Sequence, residues 1–103
     1  MRIDKLLWFL RLAASRSFAQ HWVQDGHIRL NGRRIEKPGT SIKAGDVLTL
    51  PMRSRVTVIE VATLPARRGP AEEAQRCYRV LDERLANPIA GEAQSQSSGD
   101  PIP

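Results

Sequence analysis

The stretch HIRLNGRRIE (27–36) restricts this chain more tightly than any other. Asn31-Gly32 stands between two short strand-like runs, and both positions of a two-residue hairpin turn need positive φ, which Asn and Gly tolerate best. The turn sets the register: Leu30 opposite Arg33, Arg29 opposite Arg34, Ile28 opposite Ile35. Side chains alternate across a strand, so Ile28 and Ile35 turn to a core while Arg29 and Arg34 stand together on the outer face. Like charges directly opposite one another destabilise a sheet, by a few tenths to ~1 kcal/mol. A fold can carry that cost, and beside a phosphate backbone the pair becomes favourable, because each guanidinium finds a partner.

Two helices precede the hairpin. Ile3, Leu6, Leu7 and Leu10 follow the i, i+3, i+4, i+7 pattern and predict a helix over 2–12. Its other side carries Arg2, Lys5, Trp8, Phe9 and Arg11 with Asp4. A second helix starts at the N-cap Ser15 and runs to Asp25, with Gly26 as its left-handed stop. Phe18, Ala19, Trp22 and Val23 make its expected buried face, with Arg16, Gln20 and Gln24 opposite. After the hairpin, EKPGTSIKAGD reads as a loop with a tight turn, and VLTL (47–50) and RVTVIEVATL (55–64) read as strands. Pro70, with Glu72 and Glu73 behind it, opens a third helix whose stripe is Ala74, Cys77, Tyr78, Leu81 and Leu85. Two helices, a small sheet of about four strands and a terminal helix make an α+β domain.

A chain of 103 residues has room for one modest core. We expect a single domain over 1–85 and, in ANPIAGEAQSQSSGDPIP (86–103), a disordered polar tail without aromatics or apolar periodicity. Sixteen Lys and Arg face eleven acids, a net charge of +5. All of that excess lies in residues 1–50, where nine basic residues meet four acidic ones. A basic first half favours a polyanionic partner. Thirteen of the sixteen are arginine, the residue suited to bidentate phosphate contacts. The single cysteine, Cys77, points to a reducing, cytoplasmic setting, and LLWFL is too short and too closely flanked by charge for an export signal.

Candidates for catalysis are few. His21 and His27 lack any Cys or acid cluster at metal-ligand spacing. Cys77 falls on an apolar stripe, where a structural thiol is expected. Ser15, Ser17 and Ser41 have local roles as caps or turns, and the glycines stand singly at turns. No enzyme and no cofactor is implied. The basic groups are more specific. Arg2, Lys5, Arg11, Arg16, Arg29, Arg33, Arg34, Lys37 and Lys43 come from elements whose apolar sides must pack together, leaving their polar sides few directions. The helix start at Ser15–Arg16 adds free backbone N–H groups, and Trp8 and Phe9 either stack on unpaired bases or cover the edge of the core.

In order, the chain carries Arg2-x-Asp4-Lys5, Arg11, Ser15-Arg16, Ala19, Gly26, Asn31-Gly32, Lys37-Pro38 and Gly45-Asp46. This pattern over 2–50 resembles the S-four-like (alpha-L) RNA-binding domain of small-subunit ribosomal protein four. The resemblance implies two helices packed on a small bent sheet, with structured RNA on the face made by helices and hairpin. Trp8 and the run VTVIEVATLPARRGPAEEAQRCY extend it, to about residue 79, toward the ribosome-associated heat-shock protein family. That family implies binding to ribosomal RNA of the free large ribosomal subunit, stalled with a nascent chain on transfer RNA after heat stress. Carried over, the RNA-facing residues are Arg2, Lys5, Arg11, Arg16, Asn31 and Lys37, Asn31 also being a turn residue. Members commonly continue into a long basic extension, whereas the last stretch here is slightly acidic.

Two rivals remain open at this point. The same module anchors pseudouridine synthases and tyrosyl-transfer-RNA synthetases to RNA, which would make this chain a fragment lacking its catalytic domain. A basic amphipathic anchor on a membrane is the other, but it needs helix one's apolar stripe, which the core requires. We therefore expect no membrane partner, and nothing demands more than a monomer.

Overall fold

The computed structural model describes residues 1–52 and 54–85; the expected tail over 86–103 lies outside the described residues. Helices α1 (Ile3–Phe9) and α2 (Arg16–Gln24) are followed by strands β1 (Ile28–Leu30), β2 (Arg33–Ile35), β3 (Val47–Met52) and β4 (Arg55–Val61). A short helix α3 (Ala71–Gln75) and strand β5 (Tyr78–Leu85) complete the order. The strands form one antiparallel sheet in the order β2-β1-β3-β4-β5. The molecule is α+β, as the sequence implies.

The hairpin has the expected register, Ile28 with Ile35, Arg29 with Arg34 and Leu30 with Arg33. Asn31 and Gly32 take φ of 51° and 85°, the left-handed pair that this turn requires. Ile28 is fully buried. Helix α2 begins as expected, Ser15 Oγ accepting from the Phe18 amide at 3.0 Å, and stops at Gly26 with φ 79°.

One core joins α1, α2 and the near side of the sheet. Ile3, Leu6, Leu7 and Leu10 pack with Ala19 and Val23 against Ile28, Leu48, Leu50, Ile59 and Val61. Each large aliphatic side chain buried there contributes about 1.5–3 kcal/mol. The loop after the hairpin belongs to this unit: the Ile3 amide donates to the Thr40 carbonyl at 2.8 Å, and Ile42 is buried.

Three expectations need correction. Helix one is shorter than 2–12, because Arg11 turns left-handed (φ 62°) and the Leu12 and Ala13 amides fold back onto the Leu7 carbonyl. On α2, Phe18 is 54 % exposed and Trp22 is half-buried, so only Ala19 and Val23 are buried. Phe18 and Trp22 flank the buried stripe at the edge of the core, beside Pro51 and Met52 at the end of β3. The third helix ends after one turn, and Tyr78, Leu81 and Leu85 lie in β5, which makes five strands where about four and a terminal helix were expected. The stripe's helical spacing was outweighed by pairing with β4: Val61–Tyr78, Glu60–Arg79 and Ile59–Val80, then a bulge that skips Leu81 before Val58–Asp82.

Candidate nucleic-acid interface

The centre of the basic region is an acid. Asp4, in the first turn of α1, is fully buried, and four groups converge on it. Arg2 donates from Nε to Oδ1 and from Nη2 to Oδ2, both at 3.1 Å. The Lys5 amide donates to Oδ1 at 2.7 Å, and Gln20 Nε2 to Oδ2 at 3.1 Å. Arg16 completes the set, its Nε 3.6 Å from Oδ2. Burial works to raise the carboxyl's pKa, but the bonds from Arg2, Gln20 and the Lys5 amide, with the Arg16 charge, outweigh it and hold the group below its ordinary value. Asp4 therefore stays ionised and fixes two guanidiniums at the junction of α1 and α2.

Two cations on one carboxylate leave positive charge in excess. Arg2 is exposed, and Arg16 keeps 40 % of its side-chain surface. The Arg16 Nε is buried without a hydrogen-bond partner, and none of its other donors is bonded to a described residue. Such a side chain is aimed by an ion pair through its buried Nε while its terminal Nη donors stay available. Gly39 lies against the Arg2 guanidinium: a Cβ there would sit 3.8 Å from Cζ. The Lys37–Thr40 turn, closed at 2.9 Å from the Thr40 amide to the Lys37 carbonyl, thus forms the rim of the cluster.

The other expected residues divide by position. Lys5 is half-buried with Nζ 5.3 Å from the centre of the Phe9 ring. Arg33, Lys37 and Lys43 are exposed, and their side chains make no hydrogen bond or ion pair with described residues. Arg29 and Arg34 face away from Ile28 and the helices, so they are not among the groups that meet at Asp4. Arg29 Nη1 donates to the Gly32 carbonyl at 3.3 Å, and Arg34 lies 3.8 Å from Glu36. Arg11 is turned the other way, its Nε donating to the Gly69 carbonyl at 2.6 Å. Asn31 is exposed, but both ends of its amide are spent on the fold: Nδ2 donates to Asp46 Oδ1 at 3.1 Å, and Oδ1 accepts from the Val47 amide at 2.9 Å. It locks the hairpin to the start of β3.

Neither Trp8 nor Phe9 stands free. Phe9 is buried, and Trp8 is half-buried with the Arg68 guanidinium 5.6 Å from its ring centre. Arg68 also donates to the Trp8 and Ala13 carbonyls, closing the end of α1 from a segment sixty residues away. The sequence reading had missed Asp4, Gln20 and Arg68 as organising residues. For Asp4 the signal was a lone acid inside the basic run Arg2-x-Asp4-Lys5. Among the described residues no group of His, Cys, Asp and Glu could hold a metal ion, and no helix is long and apolar enough to cross a membrane.

A family model for the S4 domain matches residues 1–48. Small ribosomal subunit protein uS4 of Gloeobacter violaceus is 37 % identical over 67 residues, covering 62 % of this chain and 32 % of that protein. The uS4 protein of Geobacter sp. strain M21 is 44 % identical over 54 residues, 52 % of this chain and 26 % of that one. The chain thus spans about a third or less of the length of these curated relatives. A solved structure, described as the trimeric structure of Vibrio cholerae heat shock protein 15, superposes with a TM-score of 0.74. It is 35 % identical, with 78 % of this chain and 80 % of that one covered. The chain belongs to the S4-domain family. The likeness to heat shock protein 15 covers 78 % of the chain, more than the S4 segment at residues 1–48.

Proposed function

We propose that this chain is a non-catalytic RNA-binding protein of the ribosome, holding structured ribosomal RNA through its phosphates. One observation carries the reading: Arg16, at the start of α2, is oriented by the buried Asp4 carboxylate yet has no donor spent on it at hydrogen-bond distance. Arg2 beside it, with Lys5 and Lys37 around the same junction, adds charge for a backbone that presents one phosphate after another. Arg33, Arg34, Arg29 and Lys43 extend the contact along the hairpin and its following loop. Arg11 and Asn31 serve by shaping the module. Few side chains here are suited to base edges, so recognition is by RNA shape and phosphate contacts.

The likeness to a heat shock protein supports a finer reading: the partner is the free large subunit, stalled with nascent chain and transfer RNA, in cytoplasmic recovery from heat stress. The uS4 relatives favour a second reading, in which the small subunit is the partner. Co-sedimentation with separated subunits across a salt series, beside Arg16→Glu, decides between them. Salt-sensitive, Arg16-dependent travel with the large subunit alone is the expected result. Travel with the small subunit alone selects the second reading, and no travel with either rejects both.

A further inference from the structure

A second surface lies on the other flank of α2 from Arg16 and Gln20. Leu12, Phe18, Trp22, Pro51 and Met52 line an open groove of about 310 Å³ between α2 and the end of β3. Phe18 is 54 % exposed, and its ring stands 5.9 Å from that of Trp22 at 53°. A large exposed aromatic in a helix whose buried stripe needs only Ala19 and Val23 contributes little to the fold.

The charges beside the groove say what suits it. Arg55 is the cross-strand partner of Met52, and Arg16, directed to Asp4 on the opposite flank of α2, shares the first turn of that helix with Phe18; Arg11 adjoins Leu12 in sequence but is turned to Gly69. Of these, Arg55 is paired with Glu83 at 2.8 Å, in an exposed contact that an incoming anion can replace. A second copy carries the same net charge of +5 and is repelled as a whole, and a neutral apolar peptide would gain nothing from Arg55 or Arg16. A polyanion with flat apolar faces fits both the lining and the rim.

We infer that this groove takes an unpaired nucleobase of the bound RNA, stacked on the exposed Phe18 ring with the tilted Trp22 ring as the wall beside it. The inference rests on the RNA-binding reading above. Arg16 and Phe18 share the first turn of α2, on opposite flanks of a helix about 10–12 Å across. A strand with a phosphate against Arg16 that passes over the start of α2 brings its next nucleotides to Phe18. Every base has a π-face and the lining is mostly apolar, the Trp22 indole N–H being its one side-chain donor, so the contact accepts any base. The preferred substrate is structured RNA carrying an unpaired nucleotide beside a helical segment.

The test uses the intact chain and two RNA probes at one salt concentration: a hairpin with an unpaired loop, and a fully paired duplex of the same stem. Phe18→Ala should weaken hairpin binding roughly tenfold and leave duplex binding unchanged. Phe18→Trp should restore the hairpin affinity. The salt dependence of Phe18→Ala should match the wild type, because no phosphate contact is lost. Equal hairpin affinity in wild type and Phe18→Ala overturns the inference, as does an equal loss on both probes. A change in the sedimentation mass of the free Phe18→Ala protein also overturns it, making the groove a contact between copies. Wild-type binding to neither probe would overturn the RNA-binding reading along with it.

Discussion

Gln20 donates from Nε2 to Oδ2 of Asp4 at 3.1 Å, tying α2 to the first turn of α1 through a carboxylate with no exposed surface. Asp4→Ala removes this acceptor and leaves Gln20 and the Lys5 amide without it, beside two guanidiniums that have lost their counter-charge. Unsatisfied polar groups of this kind cost about 1–3 kcal/mol. The urea midpoint should fall by a corresponding amount with an unchanged slope, and RNA affinity should fall as Arg2 and Arg16 lose their aim.

Acid should expose the same residue. The Asp4 pKa is lower in the folded state than its ordinary 3.8, so the unfolded chain binds the proton more readily. The stabilisation is present in full above the unfolded value, and it is lost as pH falls through the folded value. Between about pH 5 and the lower folded pKa, wild-type thermal stability should decline more steeply than that of Asp4→Asn. Parallel melting curves over this window check the sign. Equal slopes would mean that Asp4 takes no part in acid unfolding.

On the hairpin, Arg34→Glu replaces a like-charge pair with an opposite-charge pair across from Arg29. The free protein should gain about a few tenths of a kcal/mol, the lost pair with Glu36 offsetting part of the relief, while affinity for ribosomal RNA drops and its salt slope becomes shallower. Denaturant titration and RNA binding on the same preparation test the two halves together. A more stable variant with unchanged affinity would remove Arg29 and Arg34 from the interface.

Arg68→Ala should behave in the opposite manner. It loses the bonds to the Trp8 and Ala13 carbonyls and the contact with the Trp8 ring, each worth on the order of 1 kcal/mol. Stability should fall by about 1–3 kcal/mol while RNA affinity of the folded protein stays the same. A loss of affinity in the variant at temperatures where it is fully folded would make Arg68 part of the interface.

Local chemistry was legible in the sequence wherever it acts within a few residues. The Asn31-Gly32 turn dictates its own register, and Ser15 and Gly26 mark both ends of α2, because each demand is met by the residue itself or one three positions away. Residues past Pro70 misled, since Ala74, Cys77, Tyr78, Leu81 and Leu85 satisfy a helical period by spacing alone. A vacant edge on β4 was not visible in that spacing. The candidate site was half legible. Arg2 and Arg16 meet at one point and Lys5 lies over Phe9 beside it, but the sequence reading turned Asp4 and Gln20 outward because a helical wheel cannot show that α2 crosses α1 at that point. Arg11 was placed with the cations, and its left-handed φ, which sends it to Gly69, has no signature in an arginine.

The closure of α1 by Arg68 also orders events in time. The helix belongs to the first residues synthesised, and its last turn is finished by a side chain sixty positions later. At about 5–20 residues per second, that interval is roughly 3–12 s, during which Trp8 has no guanidinium over it. Contacts this distant in the chain slow folding, and the closure at Trp8 cannot form before Arg68 has been made. The protein's earliest-made helix is among the last to be completed.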